Sequence, residues 1–215
     1  MEFIPQSIEV LDPSSRKEWV KQMKKIELAY RVCYQSEPKM TEDSYVDFIP
    51  KYVKLHGSPL EHCQITVQMD CSRAIQQELT RHRLASYSIE STRWIDYFKK
   101  QGGKLLYITP ADWDGFTEEQ RDLYYKAMES SEMWYNKLRG VGLPAQRARD
   151  ALSLGLKGKI VMSANVRTWR HIFELRANNK SAHPDIRQLT QMILMRFVDD
   201  AAPLFGDLLE EYEDD

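Results

Sequence analysis

The chain predicts an α+β fold with more helix than strand. Apolar stripes at helical spacing recur along it, two short segments alternate apolar and polar residues as half-buried strands do, and N-cap signals stand at the heads of several stripes. The 215 residues suit a single domain, 1–215, with an ordinary apolar share for a buried core.

Each element has its own signal. Pro13-Ser14-Ser15 opens a helix to about Cys33, with Ser14 or Ser15 as N-cap and Trp19, Met23, Ile26, Tyr30 and Cys33 as its stripe. Residues 41–55 read as a second helix, bent near Pro50. His56-Gly57-Ser58-Pro59 is a loop by its breakers. Residues 63–69 alternate as a strand, with Cys63, Ile65, Val67 and Met69 on one face. Ser72 starts a helix through about His82, and residues 91–98 read as another strand. Thr117-Glu118-Glu119-Gln120 is a capping box that opens a long helix to about Arg139. Its stripe is Leu123, Tyr124, Ala127, Met128, Ser131, Trp134, Tyr135 and Leu138, and Gly140 and Gly142 end it. Pro144 starts a shorter helix to about Leu154. Residues 158–166 form a strand, 167–177 a helix, and 185–205 the cleanest helix, with Ile186, Leu189, Ile193, Phe197 and Ala201 on one face. The acidic tail, 210–215, is expected to fray.

Bulk properties exclude several functions. The net charge of -2 leaves no global basic field, which argues against a general nucleic-acid binder. No segment has the apolar length of a membrane span, and no signal peptide is visible. The three cysteines are odd in number and form no CxxC pair, so a reduced, cytoplasmic setting without structural zinc is expected. His56 and His62 bracket a tight loop with Glu61, but no HExxH spacing or third ligand accompanies them, so no metal is expected.

The strongest chemical signal is residues 81–93, RHRLASYSIESTR. Cations at a helix C-terminus complement its dipole, which would account for one arginine. Here Arg81-His82-Arg83 runs into a serine-rich loop, and guanidinium forks with hydroxyl donors are what a phosphate requires. Ser91 lacks a GxSxG elbow and is read as a ligand rather than a nucleophile. Arg176 takes the next position of the stripe Trp169, Ile172, Phe173. There it either snorkels to water or meets a ligand in a cleft. Arg149, within Arg147-Ala148-Arg149-Asp150, reads by pattern as a solvated face with a salt bridge to its neighbour. Asn165 and Arg167 are either an N-cap and a surface charge, or polar groups aimed at a cofactor; His171 is equally a surface histidine.

Together these segments resemble the flavin-dependent thymidylate synthases. That family's hallmark, RHR, seven residues, Ser, one residue, Arg, is filled by Arg81 to Arg93 without a gap. AYRVCY (29–34), HGSPLEH (56–62), RARDAL (147–152), NVRTWRHIFELR (165–176) and AHPDIR (182–187) stand in the family's order. The resemblance implies a compact domain with a central antiparallel or mixed sheet flanked by helices, assembled as a homotetramer. It implies dTMP synthesis from dUMP, with methylenetetrahydrofolate as carbon donor, FAD as redox carrier and NADPH as reductant, and without a protein nucleophile on the uracil. By the same resemblance, Ser58, Arg81, His82, Arg83, Asn165, Val166, Arg167 and His171 hold FAD, with His56 nearby. Glu78, Leu79, Thr80, Arg81, Glu90, Ser91, Thr92, Arg93 and Arg149 hold dUMP. Arg176 sits at the uracil as the catalytic cation, favouring the N3-ionised ring. Departures stand at Ile89, where many relatives carry Glu or Gln, at Trp94, where Tyr is usual, and at His171, where some carry Asn. Two rivals use the same residues. One is a nucleic-acid-binding module with Arg81, Arg83 and Arg93 on phosphate and Trp94 and Tyr97 stacking bases; the other is a flavin oxidoreductase acting on a different substrate.

Overall fold

A computed structural model describes residues 1–209; the acidic tail lies outside the described residues. In chain order the elements are β1 (Glu2–Ile4), β2 (Ser7–Asp12), α1 (Arg16–Val32), α2 (Tyr45–Tyr52), β3 (Gln64–Ser72), α3 (Arg73–Leu79), β4 (Ala85–Ile89), α4 (Tyr97–Lys100), β5 (Leu106–Ile108), α5 (Glu118–Gly140), α6 (Ala145–Ala148), β6 (Lys157–Asn165), α7 (Val166–Ile172) and α8 (Pro184–Phe205). A π-helical segment, Phe173–Ala177, continues α7. The fold is helix-rich α+β. No described helix is long and apolar enough to cross a membrane.

Caps explain several boundaries. Ser15 accepts from the amide of Glu18 at the head of α1. At α5 both arms of the capping box are made, Thr117 with Gln120 and the reverse. Other expectations are corrected. α2 starts at Tyr45 rather than Thr41, because Ser44 Oγ accepts from the Thr41 amide at 3.0 Å and turns the chain there. Pro50 lies inside α2, where its missing N–H forgoes a single helical bond. α3 ends at Leu79, so Arg81-His82-Arg83 stands beyond the helix, and Leu84 is left-handed at φ 62°. The serine-rich stretch is a strand, not a loop: Ala85 and Tyr87 turn inward while Ser86 and Ser88 face out. Residues 91–98 are not a strand. They turn and enter α4, whose N-cap Asp96 accepts from the Lys99 amide. The helix from Pro144 is shorter than expected, passing from α6 into a 3-10 turn, Arg149–Ala151.

Proximity of the backbone divides the chain into two compact units. The first comprises Met1–Ser7, Met69–Arg81 and Ser88–Ile160. Its core gathers Tyr97, Leu105, Tyr107, Met128, Tyr135, Ala148 and Leu156, and β1 pairs in parallel with β5. Only part of the broad α5 stripe is buried: Met128, Ser131 and Tyr135 go in, while Leu123 and Trp134 stay exposed.

The second unit comprises Ile8–Gln68, His82–Tyr87 and the chain from Val161 onward. Phe197 is the hub of its core, with ring centroids 5.4 Å from Trp19, 5.4 Å from Trp169, 5.6 Å from Phe173 and 5.1 Å from Phe205. β2, β3, β6 and β4 lie in that order in a four-stranded sheet.

Candidate functional site

The residues that the resemblance assigns to FAD fall mostly in the second unit. A cavity of about 830 Å³ there is lined by Arg83, Asn165, Arg167 and His171, together with Lys54, Glu61, Arg170 and Glu174. Three segments distant in sequence converge on it: the turn before β4, the 3-10 turn Ser58–His62 and the start of α7. Asn165 is the N-cap of α7, its Oδ1 accepting from the Thr168 amide at 2.8 Å, so the cap reading of this residue is realised in the cavity wall. Val166 is 1% exposed and its amide donates to the Cys63 carbonyl.

Arg167 reaches Glu61 at 2.6 Å in a half-exposed pair. A Cβ on Gly57 would come within 2.8 Å of Arg167 Nε, so the bare glycine makes room for this guanidinium. Arg170, 6% exposed, is clasped by both oxygens of Asp207 at 2.8 and 2.7 Å and also donates to the Leu204 carbonyl. His171 is exposed, its Nδ1 3.8 Å from Glu174. Among the described residues the Arg83 side chain makes no hydrogen bond or ion pair. Ser58 and His56 are both exposed, and the His56 carbonyl accepts from Tyr30 Oη at 2.6 Å.

Arg176 does not line this cavity. It is half-buried on the π segment, and its Nε donates to His82 Nε2 at 3.3 Å. That bond requires a lone pair on Nε2, which puts the ring proton of neutral His82 on Nδ1. The His82 carbonyl accepts from Tyr87 Oη at 2.9 Å, and burial pushes the Tyr87 phenol up to about 12, so it stays a donor. The expected choice between water and a ligand for Arg176 therefore omitted a third partner, a histidine of the hallmark itself.

The residues assigned to dUMP lie in the first unit, Arg176 excepted. Glu78, Leu79 and Thr80 end α3. Leu79 is fully buried, and Thr80 Oγ1 donates to the Gln77 carbonyl. Glu90 is held at every polar group. Its carboxylate accepts from Tyr97 Oη at 2.7 Å and from the Lys159 amide at 3.4 Å. Its carbonyl accepts from Arg73 at 2.9 Å, and its amide donates to the Lys159 carbonyl. After it, Ser91 and Thr92 are half-buried, and Arg93 lies over the Trp94 ring at 5.1 Å. Arg149 is exposed, and the expected bridge to Asp150 is not formed; among the described residues the side chains of Arg81, Arg93 and Arg149 have no carboxylate partner.

Sequence reasoning missed Arg170 in the cavity wall and Asp207 that clasps it, the pairing of Glu61 with Arg167, and the hold of Arg73 and Tyr97 on Glu90. An arginine at the i+4 place of the face Val166, Trp169, Phe173 was the available signal for Arg170. The others are long-range pairs with no local pattern. Tyr97 is 3% exposed, so it cannot stack a base as the nucleic-acid rival requires.

Comparisons with known proteins agree with these motifs. Residues 17–204 match the family model described as Thymidylate synthase complementing protein. A flavin-dependent thymidylate synthase of Geobacter sulfurreducens is 32% identical over 191 residues, covering 85% of this chain and 80% of the relative. Two solved structures share the fold. A UMP/dUMP methylase, PolB, from Streptomyces cacaoi, bound with 5-Br dUMP, has a TM-score of 0.77 at 18% identity, covering 96% of each chain. Thymidylate Synthase X from Helicobacter pylori, with FAD and dUMP, has a TM-score of 0.68 at 22% identity, covering 87% of this chain and 94% of its own. The match over residues 17–204, the gapless hallmark and the shared fold lead to one assignment: the chain belongs to the flavin-dependent thymidylate synthase family.

Proposed function

We propose that this chain makes dTMP from dUMP in the cytoplasm as a homotetramer, with methylenetetrahydrofolate as carbon donor and NADPH as reductant, and that residues 1–215 act as one catalytic domain. It is a methyltransferase, FAD is its cofactor and dUMP its substrate. The observation that carries the reading is the meeting of Arg83, Asn165, Arg167 and His171 on one cavity, whose volume suits a large organic ligand. Its mixed lining of guanidinium, amide and imidazole groups fits a flavin with a diphosphate. The bound flavin supplies hydride chemistry that no side chain offers.

The protein's own residues bind, orient and polarise. Arg81, Arg83 and Arg167 hold the cofactor's phosphates, and Ser58, His82, Asn165, Val166 and His171 orient the rest, with His56 close by. Glu78, Leu79, Thr80, Arg81, Glu90, Ser91, Thr92, Arg93 and Arg149 hold the nucleotide. Arg176 stabilises negative charge on the pyrimidine, and its bond to His82 holds the guanidinium in place beforehand. The test combines a spectrum with an assay. The purified protein should take up FAD with its visible absorbance, and form dTMP from dUMP, methylenetetrahydrofolate and NADPH. A colourless protein that takes up no FAD and forms no dTMP overturns the reading.

A further inference from the structure

We propose that Tyr97 is a positioning residue for the nucleotide, acting through Glu90 to hold Ser91, Thr92 and Arg93 in place. This rests on the reading of 91–93 as a nucleotide-binding run. Those three residues form a short turn between two pinned ends. At the first end Glu90 is bonded at its amide, its carbonyl and both carboxylate oxygens. At the second end Asp96 is gripped by Arg139 at 2.6 and 3.1 Å, and the Tyr97 amide donates to Tyr135 Oη at 3.2 Å. Between them the Ser91 carbonyl accepts from the amides of Trp94 and Ile95.

Tyr97 hydrogen-bonds at both ends, its amide to Tyr135 and its hydroxyl to Glu90. Its buried ring belongs to the core of the first unit, and its hydroxyl crosses back to Glu90 at 2.7 Å. A hydroxyl carried on a rigid ring sets a fixed distance to its acceptor, which a long flexible donor cannot do. Lys157, 3.8 Å from Glu90 and 3.0 Å from Asp70, offsets the charge of the carboxylate at that end. With both carboxylate oxygens engaged inside the unit, Glu90 holds the turn that carries Ser91, Thr92 and Arg93, in addition to its own part in the nucleotide site. A pre-formed turn spares dUMP the cost of ordering it, and that saving reads out as affinity.

The experiment compares Tyr97→Phe, Glu90→Ala, the double variant and Arg93→Ala, measuring dUMP dissociation by equilibrium binding and FAD uptake by absorbance. Tyr97→Phe keeps the ring and should weaken dUMP about tenfold, the worth of one hydrogen bond to a charged group. FAD uptake should be unchanged, and in turnover KM for dUMP should rise while kcat holds. The double variant should bind no worse than Glu90→Ala, because the two residues act through one contact. Arg73→Gln, which removes the bond to the Glu90 carbonyl without opening the core, should shift affinity in the same direction if Tyr97→Phe does not fold. Normal dUMP affinity in Tyr97→Phe, or in Arg73→Gln where it replaces it, overturns the inference and leaves the nucleotide reading standing, provided Arg93→Ala loses binding. Additive effects in the double variant also overturn it. Normal dUMP affinity in Arg93→Ala overturns both.

Discussion

In the second unit two arginines of the cavity wall are answered by carboxylates, Arg167 facing Glu61 and Arg170 clasped by Asp207, while Arg83 has no such partner among the described residues. In the first unit the arginines assigned to the nucleotide face no carboxylate among the described residues, while Glu90 is saturated by its own neighbours. An anion entering the cavity must therefore compete with an internal partner for Arg167. An anion reaching Arg93 competes with water and an aromatic face only. The same side chain is thus prepared for phosphate in two ways, by pairing in advance and by leaving the fork open, and these should respond to mutation differently.

Arg176 offers the largest effect that would break this contrast, since it belongs to the nucleotide set by role and to the second unit by position. Arg176→Ala should lower dTMP formation by about 100- to 1,000-fold, the usual loss for one electrostatic stabiliser, with flavin absorbance intact. Near-normal turnover would remove it from the chemistry. The next effect is on stability. Asp207→Ala leaves the Arg170 guanidinium buried without its partner, at 7% side-chain exposure. Breaking such a pair costs about 3 kcal/mol, and the melting temperature should fall by roughly 6–12 °C in calorimetry. An unchanged melting temperature would mean that water replaces Asp207 at no cost. The smallest effect separates competition from presentation at Arg167. Glu61→Gln should tighten FAD binding by about two- to threefold, as expected for an exposed pair of modest worth. Weaker binding in a fluorescence titration would show that Glu61 presents Arg167 to the ligand instead.

How much of this was legible in the sequence depended on range. The capping box at Thr117 and the stripe of α8 are local patterns; the box formed as read, and the stripe runs as read up to a kink at Ala201, two residues before Pro203. β1 and β5, three residues each, are too short for a period and form only because each finds the other about a hundred residues away, whereas the six residues of β2 do alternate, with Ile8 and Val10 turned inward. β4 was hidden by its serines, since a half-exposed strand needs only Ala85 and Tyr87 as its inner face. The arginines could be picked out one by one, but their neutralisation could not. The contacts from Arg167 to Glu61 and from Arg170 to Asp207 depend on tertiary placement, and so does the hold of Tyr97 and Arg73 on Glu90.

The π turn at Phe173–Ala177 carries one more residue than the α turn it replaces. In-frame loss of a single codon within residues 173–175 would restore an ordinary α turn. Hydropathy and charge would scarcely register it. Nor would the shorter turn carry Arg176 far, because the wider π turn already absorbs its extra residue and the α turn brings the guanidinium to nearly the same side of the axis as His82. What the chain must preserve here is thus the guanidinium, and not the length of the turn that carries it.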